Sequence, residues 1–215
     1  MKIGILWDLD GTLLDTLDDL ADSVNYALNS FGYPRRTREE IRHFVGNGAR
    51  WLMALAVPEG ENEQLVFDCF RKHYAEHCQD KTCLYEGVGA VLAELGEKYP
   101  MAIVSNKPDF AVKQLCQEHF PALHARGETS DCPRKPAPDM LLNTMEELDV
   151  ETCIYVGDSE VDVKTAENAG VPCLSVLWGF RDRDEIEKVG GTHFCEKVAD
   201  LPRILEEMIH DLTAE

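Results

Sequence analysis

The chain has 215 residues, enough for one large domain or for a core carrying an insertion. Forty acidic residues stand against 21 basic ones, a formal net charge of −19. That balance argues against nucleic acid as a partner, because such binding rests on Lys and Arg neutralising phosphates. It also means that a small anionic substrate must be attracted locally, by a metal or a few basic groups. No apolar stretch approaches the ~20 residues of a membrane span. The N-terminal apolar run is broken off by Asp8 and Asp10, so no secretory signal is expected there. The eight cysteines include no C-x-x-C pair, and several lie in apolar runs. They are expected to be reduced and packed as small hydrophobes in a cytoplasmic protein, a monomer or homodimer with no membrane partner.

The chain opens with the apolar run Ile3 to Trp7, followed by Asp8-Leu9-Asp10-Gly11-Thr12. A short apolar run closed by a glycine turn predicts a buried strand. Acids at its carboxyl end sit where open α/β sheets place ligands. Asp8 and Asp10, one residue apart, repel each other. A divalent cation relieves that repulsion, and oxygen-only surroundings suit Mg²⁺.

From Asp15 to about residue 80 every signal is helical. Leu17, Leu20, Val24, Ala27, Leu28 and Phe31 recur at helical spacing up to Gly32-Tyr33-Pro34. Thr37 and Glu40 have the spacing of a capping box. The Gly-rich segment Val45 to Arg50 leads into another helix, and a long one starts near Asn62. This length fits an antiparallel bundle of four helices.

From Tyr85 strands and helices alternate. Strands are predicted at Met101–Val104, near Leu123–Arg126, at Cys153–Val156, at Cys173–Leu177 and near Thr192–Cys195. Helices are predicted between them, and a last one is capped by Asp200. Repeated βα units imply a mostly parallel sheet with helices on both faces. The predicted fold class is therefore α/β, a Rossmann-like three-layer core formed by residues 1–14 and 82–215, with residues 15–81 inserted as an all-helical cap.

Three predicted strand ends carry polar residues: Asp8 with Asp10, Ser105 with Asn106, and Asp158. In a parallel sheet these ends share one edge. Lys135, in a loop before a helix, can join them. Asp8 and Asp158 offer carboxylates to Mg²⁺, and Asp10 its backbone carbonyl. Ser105 can donate to phosphate oxygens, and Lys135 is a point charge suited to phosphate. Phosphoryl transfer requires mainly positioning and charge neutralisation, which this set supplies.

Together these segments resemble the haloacid dehalogenase superfamily over essentially the whole chain. Asp8-Leu9-Asp10-Gly11-Thr12 resembles its first motif, Ser105-Asn106 the second, Lys135 the third, and Gly157-Asp158 with Asp162 the fourth. The resemblance implies that Asp8 is a nucleophile forming an aspartyl-phosphate and that Asp10 is the general acid and base. It implies Mg²⁺ held by Asp8, Asp10 and Asp158, with Thr12 and Asp162 in support. Lys135 would steady Asp8 and the phosphoryl group, and Ser105 and Asn106 would bind phosphate oxygens. The substrate would be a small phosphorylated metabolite.

Dehalogenases of this superfamily replace the second acid, which is present here as Asp10. Mutases with this cap type carry a histidine where this chain has Leu20. The segment Val45 to Arg50 and the loop Trp178-Gly179-Phe180-Arg181 are similar to those of bacterial phosphoglycolate phosphatases. On that basis Asn47, Gly48 and Arg50 are expected to contact substrate, and 2-phosphoglycolate is the expected ester. A mutase, an inorganic pyrophosphatase and a binding protein that retains the fold are the alternatives. Cys69, His73 and His77 have ligand-like spacing on one helix, but no fourth ligand accompanies them.

Overall fold

The computed structural model describes residues 1–214. Along the chain run β1 (Ile3–Trp7), β2 (Leu14–Asp15), α1 (Leu17–Ser30), α2 (Arg38–Phe44), α3 (Ala49–Ala56), α4 (Glu63–His77) and β3 (Cys83–Leu84). Then follow α5 (Val88–Gly96), β4 (Met101–Pro108), α6 (Asp109–His119), β5 (His124–Glu128), α7 (Asp139–Glu147) and β6 (Thr152–Gly157). The chain ends with α8 (Glu160–Ala169), β7 (Cys173–Val176), α9 (Arg183–Glu187), β8 (His193–Cys195) and α10 (Leu201–Ala214).

Six strands form one parallel sheet in the order β5-β4-β1-β6-β7-β8. The first strand is thus central, flanked by β4 and β6. All five of its residues are buried, which is why it is an unbroken apolar run rather than an alternating one. Ile5 and Trp7 pack with Val88, Leu95, Val112 and Leu205, from α5, α6 and α10. Leu6 on the opposite face packs with Met140, Leu141 and Ala166, from α7 and α8. The α/β three-layer expectation is met.

Helices α1 to α4 bury their own apolar cluster, with Leu20, Val24, Leu28, Ile41, Met53, Val66, Phe70 and Tyr74 among its members. Ala111 and Phe180 reach into it from the α/β part. The Thr37–Glu40 capping box is present, and Asn62 caps α4.

Three features depart from the sequence expectations. The crossing segments β2 and β3 pair antiparallel, Leu14 with Leu84 and Asp15 with Cys83. The five-residue α9 was not anticipated; it starts at an Asp182–Glu185 capping box. Asp200 does not cap the last helix. It ends a 3-10 turn, Val198–Asp200, that runs directly into α10.

The two-stranded crossing is clamped from the first helix of the insertion. The buried Asp19 carboxylate accepts the Lys81 N–H at 3.0 Å, and the Thr82 N–H and hydroxyl at 2.8 Å each. Replacing Asp19 by Ala would leave these donors unpaired, at roughly 1–3 kcal/mol for each one that water cannot reach. A lowered urea midpoint is expected for Asp19→Ala. A loss under about 0.5 kcal/mol, the scale of an ordinary surface substitution, would show that the clamp carries no weight.

Candidate active site

The central position of β1 sets the site. Its N–H ladder continues one residue past the strand, with Asp8 N donating to Val156 O at 2.8 Å. Asp8 therefore leaves the sheet beside the end of β6, where Asp158 follows Gly157. Gly11 then turns the chain at φ +81°, and a Cβ there would collide with the Asp158 carboxylate. Only glycine lets the first loop pass so close to that acid.

Asp8, Asp158 and Asp162 each present a carboxylate oxygen within 4.8 Å of the others, and all three are buried. They differ in how they are held. Asp162 is fully committed: Oδ1 takes the Lys135 ammonium at 2.7 Å, and Oδ2 takes the Ser159 hydroxyl and N–H at 2.6 and 3.1 Å. The second pair forms the capping box that starts α8. Asp158 accepts the Phe180 N–H at 2.6 Å and the Thr12 hydroxyl at 3.3 Å. Asp8 has Lys135 Nζ 2.9 Å from its Oδ1, an ion pair outside hydrogen-bond geometry, so that buried oxygen is held by charge and not by a directed hydrogen bond.

Lys135 itself is 1 % exposed. Its ammonium donates to Asp162 and to the Tyr155 hydroxyl at 2.8 Å, besides facing Asp8. Burial works against its charge, but Asp162 and Asp8 overcome that and raise its pKa. Its backbone is also fixed. Asn106 accepts the Lys135 N–H at 2.8 Å and donates to the Lys135 carbonyl at 2.9 Å.

Burial pushes the Asp8 carboxyl up to about 6; Lys135 opposes the rise, while Asp162 and Asp10 add to it. Asp158 is raised well above the usual carboxylate range by burial, then by Asp162 and Asp8. Buried acids held this close are under electrostatic stress that a cation would relieve. The donor set fits such a cation. Asp8 has an oxygen that accepts no hydrogen bond, and no backbone hydrogen bond among the described residues uses the Asp10 carbonyl. All the candidate ligands are hard oxygens, as Mg²⁺ prefers.

The remaining sequence-predicted residues divide. Asp10 accepts the Thr16 hydroxyl at 2.7 Å and the Lys107 ammonium at 2.8 and 3.1 Å. Ser105 is buried, and its Oγ accepts the Lys107 N–H at 3.4 Å. Its own hydrogen meets no acceptor among the described residues, so it is free to donate. The side chain of Asn106 is not free for phosphate, because Lys135 and the Gly46 carbonyl occupy it. Gly48, at φ +85°, lines the cavity over Asp8 and Asp10. Asn47 and Arg50 do not line it. Arg50 is exposed, bonds Gln64 at 3.0 Å and lies over the Phe67 ring.

Three residues that line the cavity went unassigned from sequence. Lys107 follows Ser105-Asn106 directly, and that adjacency was its only signal. Tyr74 looked like any inward residue of α4. Arg181 belongs to a loop singled out only by its resemblance. It is buried, pairs with Glu160 at 2.8 Å, and donates to the α2-end carbonyls of Arg42, His43 and Val45 at 3.0, 3.3 and 2.7 Å. The helical insertion and the sheet edge are joined there. The two stacked histidines, His73 and His77, form no metal cluster with neighbours among the described residues.

The fold and the clustered acids define a hydrolase of a known kind. A family model described as haloacid dehalogenase-like hydrolase matches residues 5–176. The chain belongs to that family. It is 35% identical over 191 residues to a phosphoglycolate phosphatase of Xanthomonas campestris pv. campestris, covering 84% of this chain and 86% of that one. It is 31% identical over 219 residues to a phosphoglycolate phosphatase of Vibrio parahaemolyticus, covering 94% and 95%. A crystal structure from Lactobacillus delbrueckii subsp. bulgaricus superposes with a TM-score of 0.87 at 34% identity, over 94% of this chain and 98% of that one.

Free Asp ionises near 3.8 and Asp8 in the folded protein near 6. Between those values the folded state binds the extra proton, so this group's contribution to stability is lost as pH rises through that window. In EDTA, Asp8→Asn should therefore melt close to the wild type near pH 4. It should become the more stable protein above about pH 6, by on the order of 3 kcal/mol for a shift of about two units. A difference in melting temperature that does not change with pH would contradict this assignment of charge.

Proposed function

We propose that the protein is a Mg²⁺-dependent phosphomonoesterase acting through an aspartyl-phosphate on Asp8, with 2-phosphoglycolate as substrate. The observation that carries this reading is the split of the buried charges. Asp8 keeps an oxygen with no hydrogen-bond donor, while Lys135 is held against it by Asp162 and Tyr155. A nucleophilic carboxylate needs one reactive lone pair and a fixed neighbour to orient it. The relatives named phosphoglycolate phosphatase support the choice of ester.

In this reading Asp8, Asp158 and the Asp10 carbonyl hold Mg²⁺, which supplies Lewis-acid neutralisation of the phosphate charge. Asp8 attacks phosphorus in line. Lys135 and the Ser105 hydroxyl meet the phosphate oxygens as their charge redistributes. Asp10 gives a proton to the departing alcohol oxygen, then takes one from the water that hydrolyses the acyl phosphate. Asp162 and Asn106 position Lys135 and touch no reacting atom.

The cap covers the site. The cavity left between it and the sheet edge is about 40 Å³, lined by Leu20, Val45, Leu52, Phe70 and Phe180 besides the polar groups. A water needs at least roughly 10–15 Å³ on this measure, so the space suits only a small leaving group. Leu20 gives a mutase no base at that position.

Asp8→Asn should retain the fold and release no phosphate, since an amide is a poor nucleophile. Asp10→Asn should slow release from 2-phosphoglycolate by roughly 10²–10⁴-fold, the usual contribution of one general acid–base group. Purified Asp8→Asn with activity comparable to the wild type would remove the proposal.

A further inference from the structure

The active-site cavity holds two polar groups for which the chemistry above finds no use. Lys107 is 4 % exposed, and its ammonium lies against both oxygens of Asp10, at 2.8 and 3.1 Å. Those two bonds use two of its three donors. Tyr74, from α4 of the cap, is fully buried, lines the same cavity and has a hydroxyl with no hydrogen-bond partner. The Lys107 ammonium stands 4.9 Å from the centre of the Tyr74 ring. The pair therefore spans the boundary between cap and sheet edge.

A buried, unpartnered hydroxyl costs free energy unless something bonds it. A buried ammonium with a spare donor calls for an acceptor too. Leu20, Val45, Leu52 and Phe70 offer none, and the acids that also line the space, Asp8, Asp10 and Asp158, make no hydrogen bond to the Tyr74 hydroxyl. The missing acceptor must arrive with the substrate. Its place follows from Asp10. If Asp10 protonates the leaving oxygen, groups beside Asp10 on the cap side meet the leaving alcohol and not the phosphoryl group. Lys135, ion-paired with Asp8 and Asp162, serves the phosphoryl side. The two buried lysines are thus divided between the two ends of one small substrate.

We propose that Lys107 and Tyr74 form the subsite for an anionic leaving group, binding the carboxylate of a two-carbon hydroxy acid ester through one ammonium donor and one phenol donor. This rests on the phosphatase reading and gives it a specificity determinant. An apolar surround makes such donors worth more than they would be in water. It also explains how a chain of net charge −19 admits an ester that is anionic at both ends: each anionic end meets its own buried lysine. Because one donor is on the cap and the other on the core, the carboxylate also draws the cap down.

The test pairs kinetics with a binding readout that needs no turnover. With Mg²⁺ present, 2-phosphoglycolate and ethyl phosphate, whose leaving group carries no charge, are compared in the wild type and in Tyr74→Phe. The ratio of their kcat/KM values should favour 2-phosphoglycolate in the wild type. In Tyr74→Phe it should fall about 10- to 100-fold, the loss expected for one hydrogen bond to a charged group. Separately, glycolate but not ethylene glycol should raise the melting temperature of the wild type, and Tyr74→Phe and Lys107→Met should both lose that shift. An unchanged ratio in folded Tyr74→Phe, or a wild type indifferent to glycolate, would overturn the subsite. Failure of the wild type to hydrolyse either ester would instead strike the phosphatase reading, and the glycolate shift would still decide the subsite.

Discussion

The constraint on which the site depends is the burial of the Lys135 ammonium. An ammonium without water must find acceptors on every side, or the charge is lost. Lys135 meets three oxygens: it donates to Asp162 and Tyr155 and lies 2.9 Å from the Asp8 carboxylate. Each brings an element with it. Asp162 closes the capping box of α8, so the helix start and the lysine are fixed together. Tyr155, on β6, donates a hydrogen bond from its hydroxyl to the Val104 carbonyl of β4 at 2.8 Å. Asp8 ends β1 between those two strands. The lysine thus ties three neighbouring strands at the edge where the chemistry is expected. Asn106 locks its backbone and, through the Gly46 carbonyl, touches the cap.

Around this tie the acids are left out of balance. Asp162 takes a directed hydrogen bond from Lys135, whereas Asp158 has only an N–H and a hydroxyl, and the Asp8 Oδ1 faces the ammonium without a hydrogen bond. The protein therefore carries unsatisfied negative potential at one point. Evening out the hydrogen bonds would stabilise the chain and remove a binding site, the usual conflict between stability and function. The cap adds a second constraint. Arg181 commits its guanidinium to three carbonyls at the end of α2, which holds the Gly-rich loop over Asp8 and Asp10.

Much of this was legible in the sequence where local rules dominate. The unbroken apolar run of β1, the repeated βα pattern and the helical block from Leu17 to His77 each follow from periodicity and capping residues. The acids at strand ends converge because parallel strands share an edge. What escaped depends on contacts distant in sequence. The β2–β3 pair has only two residues in each strand, too few for a pattern. Lys107 looks like a solvated turn lysine until the sheet buries it beside Asp10. Arg50 shows the reverse: a glycine-rich loop suggested an anion contact, but helical geometry turns its side chain outward to Gln64 and Phe67. Asn106 was expected on phosphate, and it is taken up by backbone groups instead. Spacing says which residues can meet; it does not say which are already satisfied.

The central claim is that the under-bonded carboxylate of Asp8 becomes covalently phosphorylated. The most direct measurement is a rapid acid quench of the protein turning over 2-phosphoglycolate with Mg²⁺, followed by borohydride reduction and peptide mass spectrometry. An acyl phosphate is reduced to an alcohol, so the account predicts homoserine in place of aspartate at position 8, and no other modified aspartate. Sustained phosphate release with position 8 unmodified, or modification at Asp10 or Asp158 instead, would contradict it.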